Sequence, residues 1–298
     1  MKLGFPSKKV LLTGINGFTG VHLKCALEDA GYQVFGLTHS RSAKTNQFTA
    51  DLSDKRSLLE VIKSVSPDYV IHLAAISFVA HGDSNDFYRV NVLGTENLLQ
   101  ALVQSNVNLK KVIVSSSANV YGNLGGVISE NACPQPVNHY ACSKLSMERI
   151  VRNYFDALPI IITRPFNYTG IGQANHFLVP KIVSHFKDAK SIIELGNIDV
   201  YRDFSAVTFV ADSYLKMLES NYKSEIFNIC SGKSISLQEI IGHLESLSGH
   251  KIDVKVNQNF VRKNEVTSIT GDNEKLLRAF PELKVIDIKN ILEKMLEE

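Results

Sequence analysis

A doubly wound α/β fold is predicted by two features of the sequence. Short runs rich in Val and Ile alternate with longer segments of helical period, the pattern of a parallel sheet covered by helices on both faces. The first run also leads directly into a glycine-rich turn that opens a helix, VLLTGINGFTG. In chain order the predicted strands are Lys9–Thr13, Gln33–Leu37, Tyr69–Leu73, Lys111–Ser115 and Ile160–Thr163. The helices between them cover about Gly20–Ala30, Lys55–Ser64, Asp86–Ser105 and Tyr140–Phe155. In such a sheet a ligand binds at the carboxyl ends of the strands. After Thr163 the period becomes irregular: RPFNYTGIGQANH reads as a loop, a helix is predicted near Phe177–Lys187, strand-like pieces around 192–204, and IFNIC as a short strand. SLQEIIGHLESLSG then has a Ser N-cap, a helical apolar period and a terminal Gly. No repeat or linker separates this half from the first, so a smaller, interleaved second lobe is expected.

Composition narrows the classes of function. Lys and Arg total 32 against 30 acidic residues, and a net charge of +2 gives no reason to expect nucleic acid or an anionic membrane as partner. No segment sustains the ~20 apolar residues that crossing a bilayer requires, and the amino terminus lacks an apolar signal core, so a cytoplasmic protein is expected. Cys25, Cys133, Cys142 and Cys230 are scattered without a CxxC or Cys/His cluster, which predicts free thiols and no metal site.

The turn after the first strand places Gly14, Gly17 and Gly20 just before a helix. Glycines there permit a tight turn and close approach of backbone to a pyrophosphate, whose charge the helix N-terminus attracts. At the end of the second strand an Asp or Glu would take the ribose 2′-hydroxyl of NAD. Here GLTHSRSAK offers Thr38, His39, Ser40 and Arg41 and no carboxylate, so Ser40 and Arg41 favour a 2′-phosphate: NADP(H) is the expected cofactor and NAD(H) the less favoured one.

HYACSKL sets Tyr140 and Lys144 four residues apart, on one face at the start of a helix. A free tyrosine has a pKa near ~10. Lowering it by ~3 units takes about 4 kcal/mol of differential interaction, which a close ammonium can contribute.

GxxGxxG spacing, YxxxK and the serine-rich SSSANVYG after the fourth strand together resemble the extended short-chain dehydrogenases/reductases, over nearly the whole chain. The resemblance implies a Rossmann-type nucleotide-binding domain at 1–164, with 200–230 returning to it, and a nucleotide-sugar-binding lobe at 165–199 and 231–298. It places the third catalytic group on Ser117, beside Tyr140 and Lys144. It assigns the cofactor to the turn residues Gly14, Asn16, Gly17, Phe18, Thr19 and Gly20, to Ser40 and Arg41, to Asp51 and Leu52 at the adenine, to Ala74 and Ala75 beyond the third strand, and to Asn91, Tyr140 and Lys144. Asp54 or Ser53 as a plain helix cap is compatible with that assignment. Asn91 is a poor helix former inside a helix, suited to tying backbone together.

Position 119 bears on the reaction. In this superfamily the 4,6-dehydratases carry a Glu there to take the C5 proton, and the fucose-synthase type carries a Cys; Asn119 can do neither. Reduction of a 4-keto sugar and 4-epimerisation with a resident NAD both remain open, and the missing carboxylate after the second strand favours reduction. RPFNYTGIGQ, GNIDVYRDF, FNICSGKSISLQEII and RKNEV look most like GDP-4-keto-6-deoxy-D-mannose reductases, which form GDP-D-rhamnose; dTDP- or CDP-linked substrates are alternatives. This implies that Ser117, Asn167, Arg202, Arg262 and Glu265 bind the nucleotide sugar, although Arg202 could instead pair with Asp203, and Arg262 with Glu265. A homodimer through the helices of Asn91 and Tyr140 is also expected by resemblance.

Overall fold

A computed structural model describes residues 8–39, 44–77, 82–261 and 266–298. Among them the chain divides into two compact units. The first comprises Met1–Gly122, Pro134–Arg164 and Ala211–Phe227; the second comprises Asn123–Cys133, Pro165–Val210 and Asn228–Glu298. In chain order the strands are β1 (Lys9–Thr13), β2 (Gln33–Thr38), β3 (Gln47–Thr49), β4 (Tyr69–His72), β5 (Lys111–Ser115), β6 (Gly126–Ile128), β7 (Ile160–Pro165), β8 (Asn167–Thr169), β9 (Ile192–Leu195), β10 (Tyr201–Ala206), β11 (Glu225–Ile229), β12 (Ser234–Ser236), β13 (Asp253–Val256) and β14 (Ser268–Gly271).

The large sheet has the order β11-β7-β5-β4-β1-β2-β3, and its pairings from β3 through β7 are parallel. The order reverses between β1 and β4, which is the switch point where a doubly wound sheet opens a crevice for a nucleotide. Its central strands are buried on both faces, which explains why they read as unbroken apolar runs rather than as alternation: Val10 to Leu12, Val70 to Ile71, Val112 to Val114 and Ile160 to Ile162 are all solvent-inaccessible. Helices α1 (Phe18–Asp29), α2 (Lys55–Val65), α3 (Ser84–Phe87), α4 (Thr95–Ser105) and α5 (His139–Arg152) follow the strands. Leu58, Ile62, Leu98, Leu102, Met147 and Val151 from α2, α4 and α5 share one core with the sheet.

The predicted helix over 86–105 is interrupted. Between α3 and α4, Tyr88–Gly94 forms a π-helical segment, and Asn91 lies within it. Such a segment is favoured where a side chain must be turned to a particular partner.

In the second unit β10 is the hub, paired with β8, β12 and β14, while β14 also pairs with β6. This corrects two expected boundaries. Residues 200–230 do not return to the first unit as a block, because β10 is the central strand of the second unit's sheet; only 211–227, mostly helix α7 (Val207–Glu219), lies in the first unit. Residues 123–133 leave the first unit because β6 pairs with β14. Helices α6 (Leu178–Lys187), α8 (Leu237–Ser248), α9 (Glu274–Ala279) and α10 (Ile288–Glu297) complete the second unit, with the expected Ser236 cap formed as a capping box with Glu239.

Asp203 holds the second unit's turns together. Its fully buried carboxylate accepts from Ser231 N, Ser231 Oγ, Gly232 N and Gly271 N at 2.7–3.1 Å. Burial pushes its pKa up, against the pull of these hydrogen bonds. Asp203→Ala would leave the three backbone donors buried without an acceptor, and a loss of roughly 3 kcal/mol of stability is expected from urea unfolding; an unchanged midpoint would remove Asp203 from this role.

Candidate active site

The site is built where β1, β4 and β5 end. Gly14 has φ +72°, and a Cβ there would lie 2.9 Å from Ala74 N, so only glycine lets the turn after β1 run against the backbone leaving β4. Gly20 begins to bury α1, and a Cβ on it would overlap the Gly14 carbonyl oxygen. Helix α1 starts at Phe18, with Gly17 as an N-cap that makes no side-chain cap hydrogen bond. Asn16, at the exposed rim, accepts from Gln47 Nε2 at 3.3 Å. This cradle fits a dinucleotide's pyrophosphate, and the hydroxyl of Ser116, buried at the end of β5 without a hydrogen-bond partner in the protein, fits a polar group arriving beside it.

The three candidate catalytic side chains are buried in the same unit. Ser117 caps the short 3-10 turn Ala118–Tyr121: its Oγ accepts from Asn119 N at 3.1 Å, so the hydroxyl proton is left to donate to another oxygen. Asn138 caps α5 through Ala141 N, and Tyr140 and Lys144 then lie one turn apart on a helix that packs against that 3-10 turn. His139 is the first helical residue, and its Nδ1 meets Tyr88 OH at 3.2 Å. Lys144 Nζ donates to Ser115 O at 2.8 Å. Burial lowers the Lys144 pKa to about 8, with the Glu148 carboxylate one turn further along pulling the other way. Asn119 is exposed and contributes its backbone N–H to Ser117.

A hydrogen-bonded chain joins the glycine turn to this helix. Thr95 Oγ1 donates to Asn91 O at 2.7 Å, so it accepts from His72 Nε2 at 2.9 Å; His72 Nδ1 is then the acceptor for Thr13 Oγ1 at 2.7 Å, and Thr13 Oγ1 accepts from Ala74 N. Burial, with the Lys144 charge second, pushes the His72 pKa down to about 3, so the ring is neutral, as this network needs. From Asn91 the chain continues: its side chain exchanges both bonds with the backbone of Ile76 and donates to Ser143 Oγ, which donates to Tyr140 O. None of Thr13, His72, Thr95 or Ser143 stands out by residue type; a histidine inside the apolar run YVIHLAA was the one available signal.

Other predicted positions fall as follows. Asp51 accepts from Ser53 N and pairs with His39 Nε2 at 3.1 Å, while Asp54, rather than Ser53, caps α2. Leu52 O accepts from Asn97. Thr38 Oγ1 donates to Phe48 O at 3.3 Å. In the second unit, Asn167 on β8 donates to Asp203 O, and Arg202 Nη1 donates to Tyr201 O. Arg202 does not use Asp203 as its partner: neighbours on a strand face opposite ways, and the Asp203 oxygens are occupied by Ser231, Gly232 and Gly271. Ser40, Arg41, Arg262 and Glu265 lie outside the described residues.

A model of the NAD dependent epimerase/dehydratase family matches residues 10–230, spanning both the glycine turn and the YxxxK helix. The chain belongs to the NAD-dependent epimerase/dehydratase family. It is thus an extended short-chain dehydrogenase/reductase and a nicotinamide-nucleotide-dependent enzyme. Within this family it is 38% identical over 290 residues to the GDP-6-deoxy-D-talose 4-dehydrogenase of Aggregatibacter actinomycetemcomitans, covering 96% of each chain. It is 29% identical to the GDP-6-deoxy-D-mannose reductase of Pseudomonas aeruginosa, covering 91% of this chain and 90% of the relative. A Burkholderia cenocepacia J2315 protein provisionally named an epimerase shares its structure with a TM-score of 0.93 at 40% identity, over 99% of this chain and 98% of that one. RMD from Pseudomonas aeruginosa, solved with NADPH, gives 0.85 at 28% identity over 98% of both.

Lys144 holds its proton below about pH 8 and sheds it above, because its folded-state value lies below the 10.5 of an ordinary lysine. If activity needs that charge, kcat/KM is expected to fall as pH rises through about 8; a profile flat to pH 10 would remove the Lys144 charge from the chemistry.

Proposed function

We propose that the chain reduces the C4 ketone of a nucleotide-linked 4-keto-6-deoxyhexose with NADPH, its substrate being GDP-4-keto-6-deoxy-D-mannose. The observation that carries this reading is the buried set Ser117, Tyr140 and Lys144 with no second acid or base at position 119. Ketone reduction needs one proton, delivered to the carbonyl oxygen as it becomes an alkoxide. Elimination of water would need a base for the C5 proton, and an exposed Asn119 is not one.

The bound nicotinamide supplies the hydride for C4. Ser117 donates to O4, polarising the ketone, and Tyr140 gives O4 its proton. Lys144 stabilises the phenolate left on Tyr140, and the Ser115 carbonyl fixes where the ammonium sits. Asn167, Arg202 and Arg262 hold the diphosphate, and Glu265 accepts from the nucleotide ribose; a guanidinium suits phosphate because it donates two parallel hydrogen bonds.

Substrate choice is supported by the two relatives named for GDP sugars. 6-Deoxytalose and 6-deoxymannose differ in configuration only at C4, so oxidation at C4 turns both into the same ketone. The greater identity to the enzyme named for 6-deoxytalose favours that product over GDP-D-rhamnose, the one expected from sequence. NADPH is supported by Thr38 standing where a carboxylate would read the NAD ribose, by Ser40 and Arg41 after it, and by the turning of Asp51 to Ser53 and His39. A homodimer belongs to the same reading: Leu93 and Val103, beside Asn91 and on α4, leave large apolar side chains exposed.

Incubating the protein with GDP-, dTDP-, CDP- and UDP-4-keto-6-deoxy sugars and NADPH is expected to consume NADPH with the GDP sugar, and Tyr140→Phe to slow this by about 10²–10⁴-fold. Failure on every 4-keto sugar would overturn the proposal. Arg41→Ala should weaken NADPH binding about tenfold and leave NADH unchanged, since a charge-assisted contact to the 2′-phosphate contributes on the order of 1.4 kcal/mol; equal effects on both cofactors would contradict the NADPH assignment.

A further inference from the structure

One buried ion pair lies beside the catalytic groups without belonging to them. Arg164, at the end of β7, is 2% exposed, Glu148 in α5 is 1% exposed and Tyr121 is 1% exposed. Arg164 Nε and Nη2 donate to the two carboxylate oxygens of Glu148 at 2.9 and 2.6 Å, and Nη1 donates to Tyr121 OH at 2.9 Å. The same guanidinium stacks on the Tyr121 ring, 4.8 Å from its centre.

These three residues occupy telling places in the chain. Glu148 is one helical turn past Lys144, on the helix that starts with Tyr140. Tyr121 ends the 3-10 turn that Ser117 opens. One planar guanidinium therefore spans the proton-donor helix and the serine turn, and a bidentate pair fixes both distance and orientation. Stability alone is a poor account of it, because desolvating two ions costs about as much as their pairing returns, and well-packed apolar residues of similar volume do as well or better. What an apolar pair lacks is the fixed geometry.

We propose that Arg164, Glu148 and Tyr121 are positioning residues that set the Ser117 turn at reacting distance from Tyr140 and Lys144. The inference rests on the assignment of Ser117, Tyr140 and Lys144 as the proton-transfer groups. Glu148 and Arg164 are both shut away from solvent, so each acts through the element it anchors. Glu148 has a second effect through the same helix, since its charge favours the protonated form of Lys144 against burial.

The test separates geometry from stability in the full chain, using the sugar nucleotide that the wild type turns over in the panel above. Tyr121→Phe keeps the ring and the stack and removes the acceptor oxygen. It should lower kcat about tenfold while the KM for the sugar nucleotide and the Kd for NADPH stay within twofold, because misplacing a donor affects the reacting geometry rather than binding. The double variant Glu148→Met with Arg164→Met replaces the ion pair by apolar volume. Its urea midpoint should approach the wild type while kcat stays about 100-fold down. A double variant as stable and as fast as wild type would overturn the proposal, as would an unchanged kcat in Tyr121→Phe, which decides the matter should the double variant not fold. Full activity in Tyr140→Phe would instead refute the underlying assignment.

Discussion

The constraint on which the site depends is that an ammonium must stay charged inside a dry core. Lys144 is almost wholly buried, and burial, partly offset by the Glu148 charge, lowers its pKa from the ordinary lysine range to about 8. The Glu148 charge one turn away favours its charged form, and the Ser115 carbonyl receives its hydrogen bond. The hydrogen bond depends on the close approach of β5 and α5, the effect of the charge on α5 alone. The Lys144–Ser115 bond joins the end of β5 to α5, and the cap on Asn138 fixes the helix's first turn.

A further requirement of the proposed chemistry is that the glycine turn and the proposed proton donors keep a fixed relation. A continuous run of hydrogen bonds meets it, passing from Thr13 through His72, Thr95, Asn91 and Ser143 to the backbone of Tyr140. Every member except the ring of His72 is an uncharged group by nature, and His72 is kept neutral by its own burial. Paired in this way, the buried polar atoms specify one arrangement of strand ends and helix, where an apolar filling would allow several. The π-helical segment has its reason here: it turns Asn91 toward Ile76 and Ser143.

Much of this was legible in the sequence because the chemistry sits in short local motifs. The glycine turn and the pair Tyr140 and Lys144 are each read within a dozen residues, Ser117 is placed by resemblance, and the strands around them are apolar runs with clear ends. What was not legible joins distant segments. No local pattern tells that β6 pairs with β14 across more than a hundred residues, or that β10 is central to the second sheet rather than part of the first. The interrupted helix around Asn91 looked continuous because its apolar period carries on through the π turn. Arg164 and Glu148 did leave a trace, as charges in a strand and on a helix face that are otherwise apolar, but only the fold brings the two charges together with Tyr121.

The central claim is net transfer of a hydride to C4 with consumption of NADPH, as opposed to reversible transfer by a resident cofactor. It is tested most directly by turnover of GDP-4-keto-6-deoxy-D-mannose with NADPH carrying deuterium at the transferring position, followed by NMR of the product. The account predicts one deuterium at C4 of a GDP-6-deoxyhexose for each NADPH oxidised. A sugar converted without deuterium at C4 and without loss of NADPH would contradict it.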